Sequence, residues 1–181
     1  MPAPDVHAEG FSTSMTLLLA AVGAVLTALV ELSVGPYLRV GGIQPHPVLV
    51  FAVVMTIVIG FEVGLLWAFV GGLALDVLAQ RPLGSSAFAI LLSVGGSWLL
   101  THWFARARVL LPILATFLFS LSFSLIGFVL LSALAAPLPV ADPVSAVLPA
   151  AVYDAGLAAV LGPVTLALNR RRSGPREQFA W

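Results

Sequence analysis

The chain has 181 residues, of which 60% are hydrophobic and 9% are charged, and its eight arginines balance eight acids to a formal net charge of zero. An average soluble domain is about one quarter charged, so this composition excludes a water-soluble globule, and the charge balance gives no basic face for nucleic acid. The chain has no cysteine, which excludes disulfides, thiolate metal sites and cysteine nucleophiles.

Six apolar segments follow one another along the chain, separated by polar residues, Pro and Gly. A helix needs about 20 apolar residues to cross a bilayer, and these segments use nearly all of the sequence. We therefore predict an all-α integral membrane protein, a six-transmembrane-helix bundle that forms one polytopic domain over residues 1–181. The predicted helices cover approximately 15–36, 47–60, 63–79, 85–104, 109–136 and 144–168.

The second and third segments are short and are separated only by Gly60, Phe61 and Glu62. A single helix over 47–79 would be about 50 Å long at about 1.5 Å per residue, which is more than a bilayer needs. We therefore predict a tight hairpin of two helices.

The arginines fall unequally on the two sides of this arrangement. Arg39 and Arg81 lie on one side, and the other six lie in the loop and tail on the opposite side. Cytoplasmic loops accumulate positive charge, so the pattern predicts that both termini are cytoplasmic and that Arg39 and Arg81 are at the outer side.

Three acids, Glu31, Asp76 and Asp154, lie inside the apolar segments. A charge at that depth costs roughly 2.5 to 3.5 kcal/mol even on the lenient insertion scale, so each acid needs compensation. Each also lies in a stripe of small residues at helical spacing, which lets helices pack closely and indicates that the acids face protein. The stripes comprise Gly60, Gly64, Ala68 and Gly72 before Asp76; Ala150, Ala158 and Gly162 around Asp154; and Ala21, Ala24 and Ala28 before Glu31.

We hypothesise that the acids form a partly buried polar cluster in the outer half, with Arg39 or Arg81 as counter-ions. Three roles remain open for the cluster. The acids could be structural groups that fix helix register, part of a proton or ion pathway, or part of a partner-binding site.

Motifs for other chemistry are missing from the sequence. His7, His46 and His102 are dispersed and lack the spacing of a helical zinc site, and no nucleophile elbow or phosphate-binding loop is present. We expect no catalytic residue, no metal and no cofactor. The four tryptophans, Trp67, Trp98, Trp103 and Trp181, are interpreted as interfacial anchors.

Over 44–99 the chain carries, in order, Pro45, Gly60, Gly64, Gly72, Leu73, Asp76, Pro82, Leu83 and Gly84. The C-terminal segment adds Pro149, Asp154, Pro163 and the arginine-rich tail. These residues resemble the pattern of the bacterial rod-shape-determining membrane protein family MreD. The chain departs from the family pattern at Glu31 and Asp154, where we would expect amides.

This resemblance implies a non-catalytic component of the cell-elongation machinery in the bacterial cytoplasmic membrane. Its implied partners are MreC, the actin-like MreB, and the peptidoglycan synthase formed by RodA and a penicillin-binding protein. We expect the partner contact on the small-residue face that contains Gly72 and ends at Asp76, and at the turn from Arg81 to Gly84.

The resemblance also implies a fold similar to the substrate-binding subunits of energy-coupling-factor vitamin transporters. The alternative function is therefore a solute-binding membrane subunit, which would dock through Ala20, Ala24 and Ala28 on the first helix. The short loops offer few convergent polar groups, so a small-molecule ligand is not expected.

Overall fold

The computed structural model describes residues 6–39, 44–103, 110–134 and 143–172. All regular structure in these residues is helical, which confirms the all-α prediction with six helices. A short 3-10 helix, Gly35–Leu38, follows the first of them. The six are α1 (Val6–Val34), α2 (Pro47–Val58), α3 (Phe61–Leu78), α4 (Ser85–Trp103), α5 (Leu111–Leu134) and α6 (Pro143–Arg172).

Four segments are long and apolar enough to cross a membrane by length and composition, which supports a multi-pass membrane protein. They are Ser14–Leu38, Phe61–Leu78, Leu111–Val129 and Val147–Asn169. The helix α2 is apolar but shorter. That α2 and α4 also cross the membrane stays a prediction.

The predicted hairpin between the second and third helices is confirmed. Helix α2 ends at Val58 and α3 begins at Phe61. Between them, Gly60 has a φ of 150°, a conformation that side chains with a Cβ rarely adopt. Glycine therefore allows the chain to reverse within two residues.

Helix α2 is the centre of the bundle, because it packs against all five other helices. Helices α1, α3, α4, α5 and α6 surround it in that order, and within the described residues α1 and α6 do not pack against each other. With 12 residues, α2 is about 18 Å long, shorter than a hydrocarbon core of about 30 Å. Since the tight turn joins its C-terminal end to the start of α3, its N-terminal end lies inside the bundle.

The small-residue stripe of α3 packs inside the bundle. A Cβ on Gly72 would lie 2.4 Å from the Cα of Ala87 on α4, and one on Gly64 would overlap the Thr56 side chain on α2. Ala68 and Asp76 are fully buried. The buried stripe is therefore not available to a partner, and of the predicted contact region only the turn from Arg81 to Gly84 remains at the surface.

Helix α1 buries its small residues and exposes its large ones. Ala20, Ala24 and Ala28 are buried, and Ala24 lies against Gly71 of α3. Leu18 on the other face is 62% exposed, as expected for a side chain that faces lipid.

The interpretation of Trp67 as an interfacial anchor is wrong, because the side chain is buried and its ring stacks on Phe51 at 5.3 Å between centroids. Gly23 of α1 provides the space, since a Cβ there would lie 2.9 Å from the indole. Trp98 and Trp103 are exposed, and Trp181 lies outside the described residues.

Candidate functional site

The N-terminal end of α2 is held by carboxylates from two other helices. The first N–H groups of a helix have no partner within that helix, and inside a membrane bundle water is not available to bind them. The backbone N–H of His46 donates to Asp154 Oδ1 at 2.8 Å, and the backbone N–H of Val48 donates to Glu31 Oε2 at 2.9 Å. Pro47, between them, has no N–H to satisfy. The acids of α1 and α6 therefore cap α2.

Asp154 accepts further hydrogen bonds on its second oxygen. The Ser120 hydroxyl of α5 donates to Oδ2 at 2.5 Å, and the His46 ring places Nδ1 2.9 Å from the same atom. The carboxylate is fully buried, whereas the His46 side chain is 25% exposed and meets Phe123 edge-on at 5.2 Å. Asp154 therefore joins α2, α5 and α6 at one point.

Glu31 lies at the end of a second chain of contacts. Its side chain is 5% exposed, and its backbone oxygen accepts a bond from Gln44 Nε2 at 3.1 Å. Gln44 Oε1 in turn accepts from Arg39 Nη2 at 3.4 Å. These contacts link Gln44, which lies just before α2, to the C-terminal end of α1 and to Arg39.

The other end of α2 is also held by α6. Asn169 Nδ2 donates to the Val58 carbonyl oxygen at 3.2 Å. Asp154 and Asn169 thus bond to opposite ends of the same short helix. Helix α6 therefore binds both termini of α2.

Asp76 caps a different helix. Its carboxylate accepts from the backbone N–H of Gly84 at 2.8 Å, from that of Ser86 at 2.9 Å and from the Ser85 hydroxyl at 3.1 Å. Gly84 has a φ of 89°, which favours glycine and brings the N–H groups of the turn onto Asp76. The first turn of α4 is therefore capped by α3.

These positions explain how the bundle accommodates its acids. A helix N-terminus carries a partial positive charge of about half a unit, so a carboxylate there is stabilised without a cation. The predicted counter-ions are not in salt bridges with these acids within the described residues: Arg39 contacts Gln44, and Arg81 Nη1 contacts Ser86 Oγ at 3.4 Å. Within the described residues, the acid that contacts a basic side chain is Asp154, and its contact with His46 is a salt bridge when the imidazole is protonated.

The structure brings some predicted site residues together and separates others. Glu31 and Asp154 meet at the end of α2, whereas Asp76 caps α4 beside Arg81 and Gly84. Gly72 lies where α3 packs against α4. Sequence reasoning missed His46, Ser120, Gln44 and Asn169. The sequence signal for His46 is its position directly before Pro47, since Pro is favoured at the first residue of a helix.

The chemistry of this site is hydrogen bonding between helices. Each of the three carboxylates accepts at least one backbone N–H, and two of them also accept a side-chain hydroxyl. No group of three or more His, Cys, Asp or Glu side chains that could hold a metal occurs in the part of the chain that the structure describes. The arrangement favours the structural role among the three that the sequence leaves open.

Comparison with known proteins gives one family. The family model described as rod shape-determining protein MreD matches residues 11–172, which is most of the chain. No curated protein and no solved structure matches the chain.

Proposed function

The chain belongs to the MreD family of rod shape-determining proteins, and on that premise we propose that it is a non-catalytic scaffold of the bacterial cell-elongation machinery. Family membership supports a role in rod shape determination. We propose further that it lies in the cytoplasmic membrane with both termini in the cytoplasm. There it would help regulate lateral peptidoglycan synthesis by binding MreC, MreB and the synthase of RodA and a penicillin-binding protein.

One observation carries the scaffold proposal: the three buried acids hold helix ends together. Glu31, Asp76 and Asp154 direct their oxygens at backbone N–H groups of α2 and α4. A carboxylate that is buried and bonded in this way fixes helix positions. This use of the acids supports a bundle that presents a stable surface to other proteins.

The turn between α3 and α4 is the surface that we propose for a partner. Leu83 is 75% exposed at this turn, while the acid beneath it holds the backbone of Gly84. An exposed apolar side chain on a turn fixed by hydrogen bonds loses little conformational freedom on binding. The proposed contact is therefore the turn from Arg81 to Gly84, without the buried stripe of α3.

The transport alternative gains no support from the structure. Docking through Ala20, Ala24 and Ala28 would require these residues at the surface, and all three are buried. We therefore do not favour a vitamin-binding subunit.

The test is affinity purification of the tagged protein in mild detergent from its own membranes, with mass spectrometry of the proteins that co-purify. We expect MreC or the RodA synthase with the unaltered chain, and a loss of at least about tenfold with Leu83→Ser, as for a contact near the centre of an interface. The matched control is Leu110→Ser, because Leu110 is 60% exposed at the opposite end of the bundle.

Two results would contradict the proposal in different ways. Equal recovery of partners with both variants would exclude the turn as the contact while leaving the scaffold role in place. Recovery of a paired ATPase with its membrane coupling subunit, in place of MreC or RodA, would overturn the scaffold role itself.

A further inference from the structure

An apolar groove lies between α1 and α4, above α3. Helices α1 and α4 do not pack against each other within the described residues, and α3 forms the floor between them. The cavity has a volume of about 540 Å³, within the range of ligand pockets. Its lining consists of Leu17, Leu65, Leu66, Phe69, Leu91 and Glu62.

The side chains of this groove suit an acyl chain better than a protein helix. Membrane helices associate through small residues that let backbones approach, or through hydrogen bonds between side chains. Here the five apolar lining residues are all Leu or Phe, and Leu65 and Phe69 are 40% and 50% exposed. A flexible hydrocarbon chain can fill such a surface by dispersion contacts alone.

Glu62 is the one charged side chain of the lining. It lies in the first turn of α3, next to the hairpin turn at Gly60 and therefore at one end of the bundle. It is exposed, and its carboxylate has no hydrogen-bond or salt-bridge partner within the part of the chain that the structure describes. A carboxylate at the mouth of an apolar groove attracts a cationic headgroup and repels an anionic one.

We propose that this groove binds a membrane phospholipid with an ammonium headgroup. One acyl chain lies along Leu65, Leu66 and Phe69, and the ammonium group contacts Glu62. At the membrane surface a single ion pair of this kind gives a preference of roughly fivefold. The site is distinct from the acids that cap α2 and α4, and the proposal stands independently of the scaffold function.

The experiment is native mass spectrometry of the purified full chain after exchange into an equimolar mixture of phosphatidylethanolamine and phosphatidylglycerol with identical acyl chains. We expect the unaltered protein to retain phosphatidylethanolamine over phosphatidylglycerol by about fivefold. Glu62→Gln should still retain lipid but without this preference. Leu65→Trp, which fills the groove, should lose both lipids.

Leu114→Trp is the control for the added tryptophan, since Leu114 is 62% exposed on α5 and does not line the groove. It should retain lipid with the original preference. If Leu65→Trp does not fold, Leu91→Trp fills the groove from its α4 wall and gives the same test.

Several outcomes would overturn the proposal. Among them are equal retention of the two lipids by the unaltered protein, and a preference that persists in Glu62→Gln. Unchanged retention in both groove-filling variants would exclude the groove as the site. Release of lipid in favour of a co-purifying protein that occupies the groove would identify a different ligand.

Discussion

At the scale of single residues, the buried acids are hydrogen-bond acceptors for the ends of other helices. Glu31 illustrates this, because its side chain is almost fully buried and accepts the backbone N–H of Val48. A buried donor that loses its acceptor costs about 1–3 kcal/mol. The hydrogen bond requires only an acceptor, and an amide oxygen provides one.

This distinction yields a paired prediction at Glu31. Glu31→Gln keeps an oxygen for the Val48 N–H and should change the free energy of unfolding by less than about 1 kcal/mol. Glu31→Leu leaves the N–H without a partner and should destabilise the protein by about 1–3 kcal/mol. Thermal unfolding in detergent measures both. Equal destabilisation by the two substitutions would show that the charge matters more than the hydrogen bond.

The pair of His46 and Asp154 can be tested by coupling. The two side chains lie 2.9 Å apart, and Asp154 also accepts the His46 backbone N–H. His46→Ala and Asp154→Asn should therefore be non-additive, with an interaction energy of about 0.5–3 kcal/mol in a double-mutant cycle on the unfolding free energy.

A second cycle provides the control for this coupling. Asp154 and Asp76 cap different helices and share no hydrogen-bond donor within the described residues. Asp154→Asn and Asp76→Asn should add to within about 0.5 kcal/mol. If the cycle of His46 and Asp154 were equally additive, the pair would not act as a unit.

At the scale of helices, close packing depends on glycines at particular crossings. A Cβ on Gly72 would meet the backbone of α4 at Ala87, and backbone cannot move aside as a side chain can. Gly95, also on a helix, has no atom within 4 Å of its Cβ position. The two glycines therefore differ in environment although both lie in helical segments.

Alanine at these two positions should have opposite effects. Gly72→Ala forces α3 and α4 apart and should cost about 1–3 kcal/mol, as overpacking does. Gly95→Ala removes a poor helix former without a clash and should stabilise by up to about 1 kcal/mol. The midpoint of thermal unfolding in detergent gives the sign of each change. A similar loss of stability in both variants would mean that the cost of alanine at position 72 does not come from the contact between α3 and α4.

The helices themselves could be predicted from the sequence, but their mutual contacts could not. Runs of apolar residues determine where a membrane helix forms, and Gly60 marked the turn between α2 and α3. Helical spacing reports neighbours on the same helix, whereas His46 and Asp154 are 108 residues apart. For this reason the sequence indicated that the buried acids needed compensation but did not show which groups provide it. It suggested arginines as counter-ions, whereas in the structure the N-terminal ends of α2 and α4 provide the compensation.

At the scale of the molecule, α2 connects two helices that do not pack against each other. Helices α1 and α6 do not pack together within the described residues, yet both bond to the N-terminal end of α2 through Glu31 and Asp154. Tyr153 of α6 adds one more link by donating to the Leu38 carbonyl oxygen at 3.3 Å. The relative position of α1 and α6 therefore depends on the caps of α2 and on this hydrogen bond.

The orientation of the whole bundle gives the last prediction. The turn that contains Leu83 and the turn before Glu62 lie at opposite ends of α3. The uneven distribution of arginines predicts that the Leu83 turn lies outside the cell, because positive charge collects in cytoplasmic loops. The absence of cysteine lets each position be labelled alone. Leu83→Cys should react with a membrane-impermeant maleimide on intact cells, or on spheroplasts where an outer membrane is present.

Glu62→Cys should react with the same reagent only after the membrane is permeabilised. A permeant maleimide should label both variants in intact cells, which controls for thiol reactivity. The reverse pattern, with Glu62→Cys labelled from outside and Leu83→Cys protected, would invert the orientation. It would also move the proposed contact at the Arg81 to Gly84 turn to the cytoplasm.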